Sequence, residues 1–222
     1  MINVEIKKNL FYFDLDVNFD LNKEVLVLKG PSGSGKTTVL NCIAGLDKPD
    51  SGIIRIDDEI VYSSRNKIDY PARDRNISYV FQNFALFPHM TVFENILFGV
   101  DKRKREDLDY VRKLMDIFGI SHLKDRKSNC ISGGEKQRTA LARALATKPH
   151  ILLMDEPFSS LDVKIKSTLY DEFLELKNSL DIGVILVTHD PHEAKVLGDR
   201  IVNIKEGSCI YDISARKSRL VK

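Results

Sequence analysis

The stretch GPSGSGKTT, residues Gly30–Thr38, sets a lysine and two hydroxyl residues directly after a glycine-rich loop. It follows the apolar run EVLVL, Glu24–Leu28, and leads into Val39, Leu40, Ile43 and Leu46 at helical spacing. The segment therefore reads as strand, loop and helix. In that setting Gly30, Pro31, Ser32, Gly33, Ser34 and Gly35 form a loop whose backbone can wrap around phosphate with few side chains in the way. Its N–H groups and the helix dipole favour an anion. Lys36 can reach the β- and γ-phosphates of a nucleotide, the Thr37 hydroxyl can bind Mg2+, and Thr38 closes the motif. ILLMD, Ile151–Asp155, reads as a buried strand ending in a carboxylate placed to hold the metal shell. Adjacent Glu156 is a candidate base for an attacking water. A second turn of the same kind, Ser132, Gly133 and Gly134, precedes the helical text EKQRTALARALA and again suits an anion.

These groups need a scaffold, and the patterning supplies one. Phe13, Leu15, Val17 and Phe19 alternate with polar residues and predict a half-buried strand in which Phe13 faces the core. IIRI and IVY flank Asp57–Glu59 as a hairpin, and ISYVF, Ile77–Phe81, is a further strand. From Thr91 to Thr147 the text is helical, with Thr91/Glu94 and Ser132/Glu135 as capping boxes and Leu108, Val111, Met115 and Phe118 on one face. Strands return at ILLMD and VILVT, Val184–Thr188, and a final hairpin closes around Glu206-Gly207. The expected fold is α/β, with a mostly parallel sheet covered on both faces and an inserted helical subdomain.

The length fits one domain. With 43% hydrophobic and 30% charged residues, the chain reads as ordinary globular protein. A net charge of +2 is too small to argue for nucleic acid, and the basic clusters Lys102–Arg105 and Arg216–Lys222 read as a solvated face and a tail. Cys42, Cys130 and Cys209 lack metal-ligand spacing and read as thiols of a reducing compartment. There is no signal pattern and no apolar run long enough to cross a bilayer.

Taken together, GPSGSGKTT, YVFQNFALFPHMTVFENILFG, ISGGEKQRTALARAL, ILLMDEPFSSLD and VTHDPHEA resemble the nucleotide-binding subunit of an ABC transporter. The likeness covers nearly the whole chain. It implies the P-loop ABC ATPase fold with an N-terminal antiparallel β part, as one domain over 1–222. The core would span about 1–85 and 150–222, the helical subdomain about 86–149. It implies a head-to-tail homodimer in which each ATP lies between the first cradle of one copy and Ser132–Gly134 of the other. Gln82 resembles the glutamine that touches Mg2+ and the attacking water, His189 the switch histidine on the γ-phosphate, and Asp162 the aspartate that communicates across the dimer. Glu135 stands where the signature usually has glutamine, with little expected loss. Phe11 or Tyr12 is the candidate to stack on adenine. The segment after Gln82, with Phe84, Leu86, Phe87 and Pro88, resembles the surface that receives a membrane subunit.

The text is similar to importer ATPases that work with two permease subunits and an external solute-binding protein, at the cytoplasmic face of the membrane. Molybdate/tungstate importers are the nearest in texture. Sulfate/thiosulfate, polyamine and iron(III) importers share much of it. The chain stops at Lys222, so no C-terminal regulatory domain is expected. A soluble ABC ATPase of DNA repair or translation is the rival of another class. It would carry coiled-coil insertions or a second cassette, and neither is visible.

Overall fold

The computed structural model describes residues 1–159 and 163–212. Its strands are β1 (Ile2–Asn9), β2 (Asp14–Leu21), β3 (Val25–Lys29), β4 (Ser51–Ile56), β5 (Glu59–Ser63), β6 (Ile68–Asp69), β7 (Ile77–Val80), β8 (Ile151–Asp155), β9 (Gly183–Val187), β10 (Arg200–Lys205) and β11 (Ser208–Asp212). They join in one sheet in the order β6-β5-β4-β1-β2-β11-β10-β3-β9-β8-β7. The helices are α1 (Lys36–Ala44), α2 (Val92–Ile96), α3 (Arg105–Ile117), α4 (Gly133–Ala146), α5 (Val163–Leu180) and α6 (Pro191–Leu197).

The sheet has two regimes. β10, β3, β9, β8 and β7 run parallel. β2, β1, β4, β5 and β6 pair antiparallel, as does the β10–β11 hairpin. β11 joins the two halves through Ser208 opposite Asp16. The expected parallel core is present, and so is the expected N-terminal antiparallel part, which with the β10–β11 hairpin covers as much of the sheet. β1 pairs with β2 in the N-terminal antiparallel part that the resemblance implies, and its Ile2, Val4 and Ile6 are fully buried.

Alternation explains why the central strands are apolar throughout. Successive residues of a strand point to opposite faces. In β3, Val25 and Val27 face one core with α3, α4, α5 and α6, while Leu26 and Leu28 face another with α1 and the antiparallel strands. β8 divides the same way, Leu152 and Met154 against Ile151 and Leu153. Both faces are covered, so no position can be polar without a buried partner.

Between β7 and β8 the described chain is helical, apart from an isolated bridge between Thr91 and Lys127. Val111, Leu114, Met115 and Phe118 turn the apolar face of α3 inward. This segment shares its core with the sheet face that carries α5 and α6. Both expected capping boxes are formed, with reciprocal bonds at Thr91/Glu94 and Ser132/Glu135. Among the described residues, no helix is long and apolar enough to cross a membrane. The three cysteines are free. The basic cluster at 216–222 lies outside the described residues.

Candidate functional site

Four parallel strands end at one edge of the sheet, and the candidate residues follow their ends. Register places Leu28 of β3 beside Val187 of β9, Val187 beside Asp155 of β8, and Met154 beside Val80 of β7. The next residues along each chain are therefore neighbours: the cradle from Gly30, His189, Glu156 and Gln82. Crevices at the carboxyl ends of parallel strands are the usual ligand sites of such sheets.

A cleft of about 360 Å³ opens there, lined by Ser32, Gly33, Gly35, Lys36, Thr37, Thr38, Gln82, Asp155 and Glu156, with Leu10–Phe13 along one rim. Gly35 caps α1 at φ 99° and Gly33 lies at φ 78°, left-handed values that favour glycine. Lys36 donates to the Gly30 and Pro31 carbonyls at 2.9 and 2.7 Å, and approaches Ser34 Oγ at 3.4 Å. Burial pulls its ammonium below the ordinary lysine range, against the opposing pull of Glu156 and Asp155.

The two expected metal ligands meet. Thr37 Oγ1 donates to Asp155 Oδ2 at 2.8 Å, although 118 residues separate them in sequence. Burial raises the Asp155 carboxyl, and the Thr37 bond opposes that rise. Among the described residues no three His, Cys, Asp or Glu side chains cluster as a metal cage. Hydroxyl and carboxylate oxygens beside an open cleft fit Mg2+, which keeps several of its waters.

Glu156 gathers the rest. Its backbone sits at φ 46°, strained for a residue with a side chain, and its N–H is tied to Val187 O at 3.0 Å. The carboxylate lies 3.2 Å from His189 Nδ1 through Oε1, and Gln82 Nε2 is 3.5 Å from Oε2. Two residues singled out in the sequence, Gln82 and His189, thus converge on the side chain of a third.

The remaining candidates sit elsewhere. Ser132 and Gly133 are exposed at the start of α4, and Ser132–Gly134 does not line the cleft. Asp162 lies outside the described residues. Leu10 N–H bonds Phe13 O at 3.0 Å in a tight turn, leaving Phe11 and Tyr12 exposed at its tip with rings 4.8 Å apart. Phe13 departs from expectation: it is half-buried on the cleft rim beside Gly35, because the turn lifts it off the core face that begins at Leu15. Two residues absent from the sequence reading fix the segment after Gln82. Arg143 donates to the carbonyls of Phe84 and Ala85, both in left-handed conformation. Fully buried Asn95 bonds Phe87 N–H and O and the carbonyls of Met90 and Thr91. The signal for both was polarity at a position where the helical pattern calls for an apolar residue.

The sheet, the cradle and the carboxylate strand end define an α/β P-loop nucleoside-triphosphatase fold. A family model described as ABC transporter matches residues 15–159. The trehalose/maltose import ATP-binding protein of Thermococcus litoralis is 45% identical over 187 residues, 83% of this chain and 50% of its own length. The molybdate/tungstate import ATP-binding protein of Pyrococcus horikoshii is 46% identical over 207 residues, 90% of this chain and 58% of its own. A solved dimeric ATP-binding cassette in a post-hydrolysis state with ADP and Pi superposes with a TM-score of 0.82 at 30% identity, covering 97% of this chain and 99% of that one. The chain belongs to the ABC transporter family. It spans between half and three-fifths of the length of these curated relatives.

Proposed function

We propose that the protein is the ATP-hydrolysing subunit of an ABC importer. The observation that carries this reading is the convergence of Lys36, Asp155, Glu156, Gln82 and His189 at one sheet edge, with the exposed Ser132–Gly134 turn outside that cleft. One chain therefore presents a phosphate cradle and, separately, a capped helix start suited to phosphate. A second copy packed head to tail brings the two together, and the dimeric state of the solved relative supports that arrangement.

In this reading Lys36 exchanges the Gly30 and Pro31 carbonyls for β- and γ-phosphate oxygens. Thr37, Asp155 and Gln82 hold Mg2+, which when bound draws negative charge off the phosphate oxygens. Glu156 accepts the proton of the attacking water, and His189, beside it, faces the γ-phosphate. The partner copy contributes its Ser132 hydroxyl and glycine N–H groups, and Asp162 communicates across the interface. Phe11 or Tyr12 stacks on adenine. Pairing moves the helical segment about 86–149 relative to the core about 1–85 and 150–222. Two permease subunits, each seated on the segment of Phe84, Leu86, Phe87 and Pro88, transmit that motion at the cytoplasmic face of the membrane.

Glu156→Gln keeps the shape and removes the base. Turnover should fall by at least about 100-fold, and light scattering should find a dimer that persists with ATP and not with ADP. Turnover at the ordinary rate would remove Glu156 from that role. For the solute, molybdate or tungstate is our choice, with sulfate/thiosulfate, polyamine and iron(III) as alternatives. Relatives for trehalose/maltose and for molybdate/tungstate are equally similar, so the choice rests on the short N-terminus and the stretch DLDVNFDLNKEVLVLKGPSGSGK, which most resemble molybdate/tungstate importers. Loss of molybdate uptake on deletion of the gene, with sulfate uptake intact, is the expected result.

A further inference from the structure

The start of α4 is held by the residue after its two glycines. Glu135 Oε2 accepts the Ser132 backbone N–H at 2.7 Å and the Ser132 hydroxyl at 2.8 Å. The Glu135 N–H reaches back to Ser132 Oγ at 3.4 Å. Both donors of Ser132 are thus committed to one carboxylate. The bonds from Ser132 hold that carboxyl below the usual glutamate range, so it is charged at neutral pH. His122 Nε2 is 4.0 Å from Oε1, itself largely exposed, so water and salt screen it.

A phosphate that takes the Ser132 hydroxyl as its donor faces two opposing effects. The hydroxyl must leave a charged acceptor, and charge-assisted bonds are about twice as strong as neutral ones. An anion also stands beside the incoming anion. We propose that Glu135 competes with the partner copy's γ-phosphate for Ser132, and so sets the ATP concentration at which two copies pair. This deepens the head-to-tail reading above and rests on it. It also reverses the expectation that glutamate at this position costs little.

Glu135→Gln isolates the effect. A capping box accepts either residue at its third position, because an amide oxygen can take the same two donors. Only the charge is lost. The full chain carrying Glu156→Gln serves as parent, titrated with Mg·ATP while sedimentation reports the dimer fraction. Adding Glu135→Gln should lower the ATP concentration at half-pairing about fivefold, the difference between a charged and a neutral acceptor. The affinity of the monomer for ADP should not change, since Ser132–Gly134 does not line the first cradle's cleft. An unchanged or higher midpoint overturns the role of Glu135 alone, as does an equal shift in ADP affinity. A parent that never pairs overturns the head-to-tail reading and this proposal with it.

Discussion

Arg75 carries a charged side chain at 2% exposure, and its surroundings explain how. Its guanidinium donates to the carbonyls of Cys42 and Ile43 in the last turn of α1, to Tyr70 O, and to Asp69 at 3.2 Å. Helices leave their last carbonyls without partners, and a cation there also meets the negative end of the dipole. Gly45 follows that helix at φ 75°, and a Cβ there would lie 2.6 Å from Arg75 Nε. The two residues make one closure of the helix that carries the phosphate cradle. Arg75→Met fills similar space but removes the donor to the carbonyls of Ile43 and Tyr70, and leaves Cys42 O only the Gly45 N–H at 3.3 Å. We expect a stability loss of about 2–4 kcal/mol by urea unfolding. A loss under about 1 kcal/mol would mean that the side chain merely fills volume. Nothing local in the sequence announces this role, because the carbonyls it caps lie 32 and 33 residues earlier.

At the scale of elements, α6 links stability to the histidine loop. Asp190 caps the helix, accepting from His192 and Glu193 N–H, and Thr188 Oγ1 donates to Glu193 Oε2 at 2.8 Å. Glu193 is 2% exposed and its Oε1 has no hydrogen-bond partner. Burial pushes its carboxyl from 4.5 up to about 7, against the Thr188 bond. The folded chain therefore holds a proton between those pH values that the unfolded chain releases. Stability contributed at Glu193 should fall as pH rises from about 4.5 to about 7 and stay lower above that. Glu193→Gln, which does not titrate, should gain on the natural chain across this window, by at most a few kcal/mol. Thermal midpoints at pH 5 and pH 8 measure the gain, and parallel profiles for the two chains would refute it. The same helix shows how far local text reaches. Asp190 before Pro191, the two capping boxes and the alternating runs are legible because their signals lie within a few residues. The β4–β5 and β10–β11 hairpins are legible from their turns, but the pairing of β1 with β4 is not, because about fifty residues separate the partners and leave no mark in either strand. The candidate site was almost wholly legible as residue types. Its geometry was not: the Thr37–Asp155 contact depends on β3 and β8 flanking β9.

At the scale of the whole molecule, the head-to-tail reading proposed above has the cradle of one chain completed by the Ser132–Gly134 turn of another. Gly133 permits a clean test, because a Cβ built on it meets nothing within 4 Å. Substitution there should leave the monomer folded, so that lost activity reports on contact with another molecule. Lys36→Ala disables the cradle of its own chain and leaves its signature turn intact; Gly133→Asp does the reverse, setting a charge against incoming phosphate. Each variant alone should be inactive, since both composite sites in its homodimer lack one half. Mixed in equal amounts, half the dimers are mixed, and each mixed dimer has one site with an intact cradle facing an intact signature turn. ATPase activity should therefore return to about a quarter of the natural rate if sites act independently, and to less, but not to zero, if the two sites are partly coupled. A mixture as silent as its components, with pairing verified by scattering, would show that each chain completes its own site, and the head-to-tail reading would fail with it.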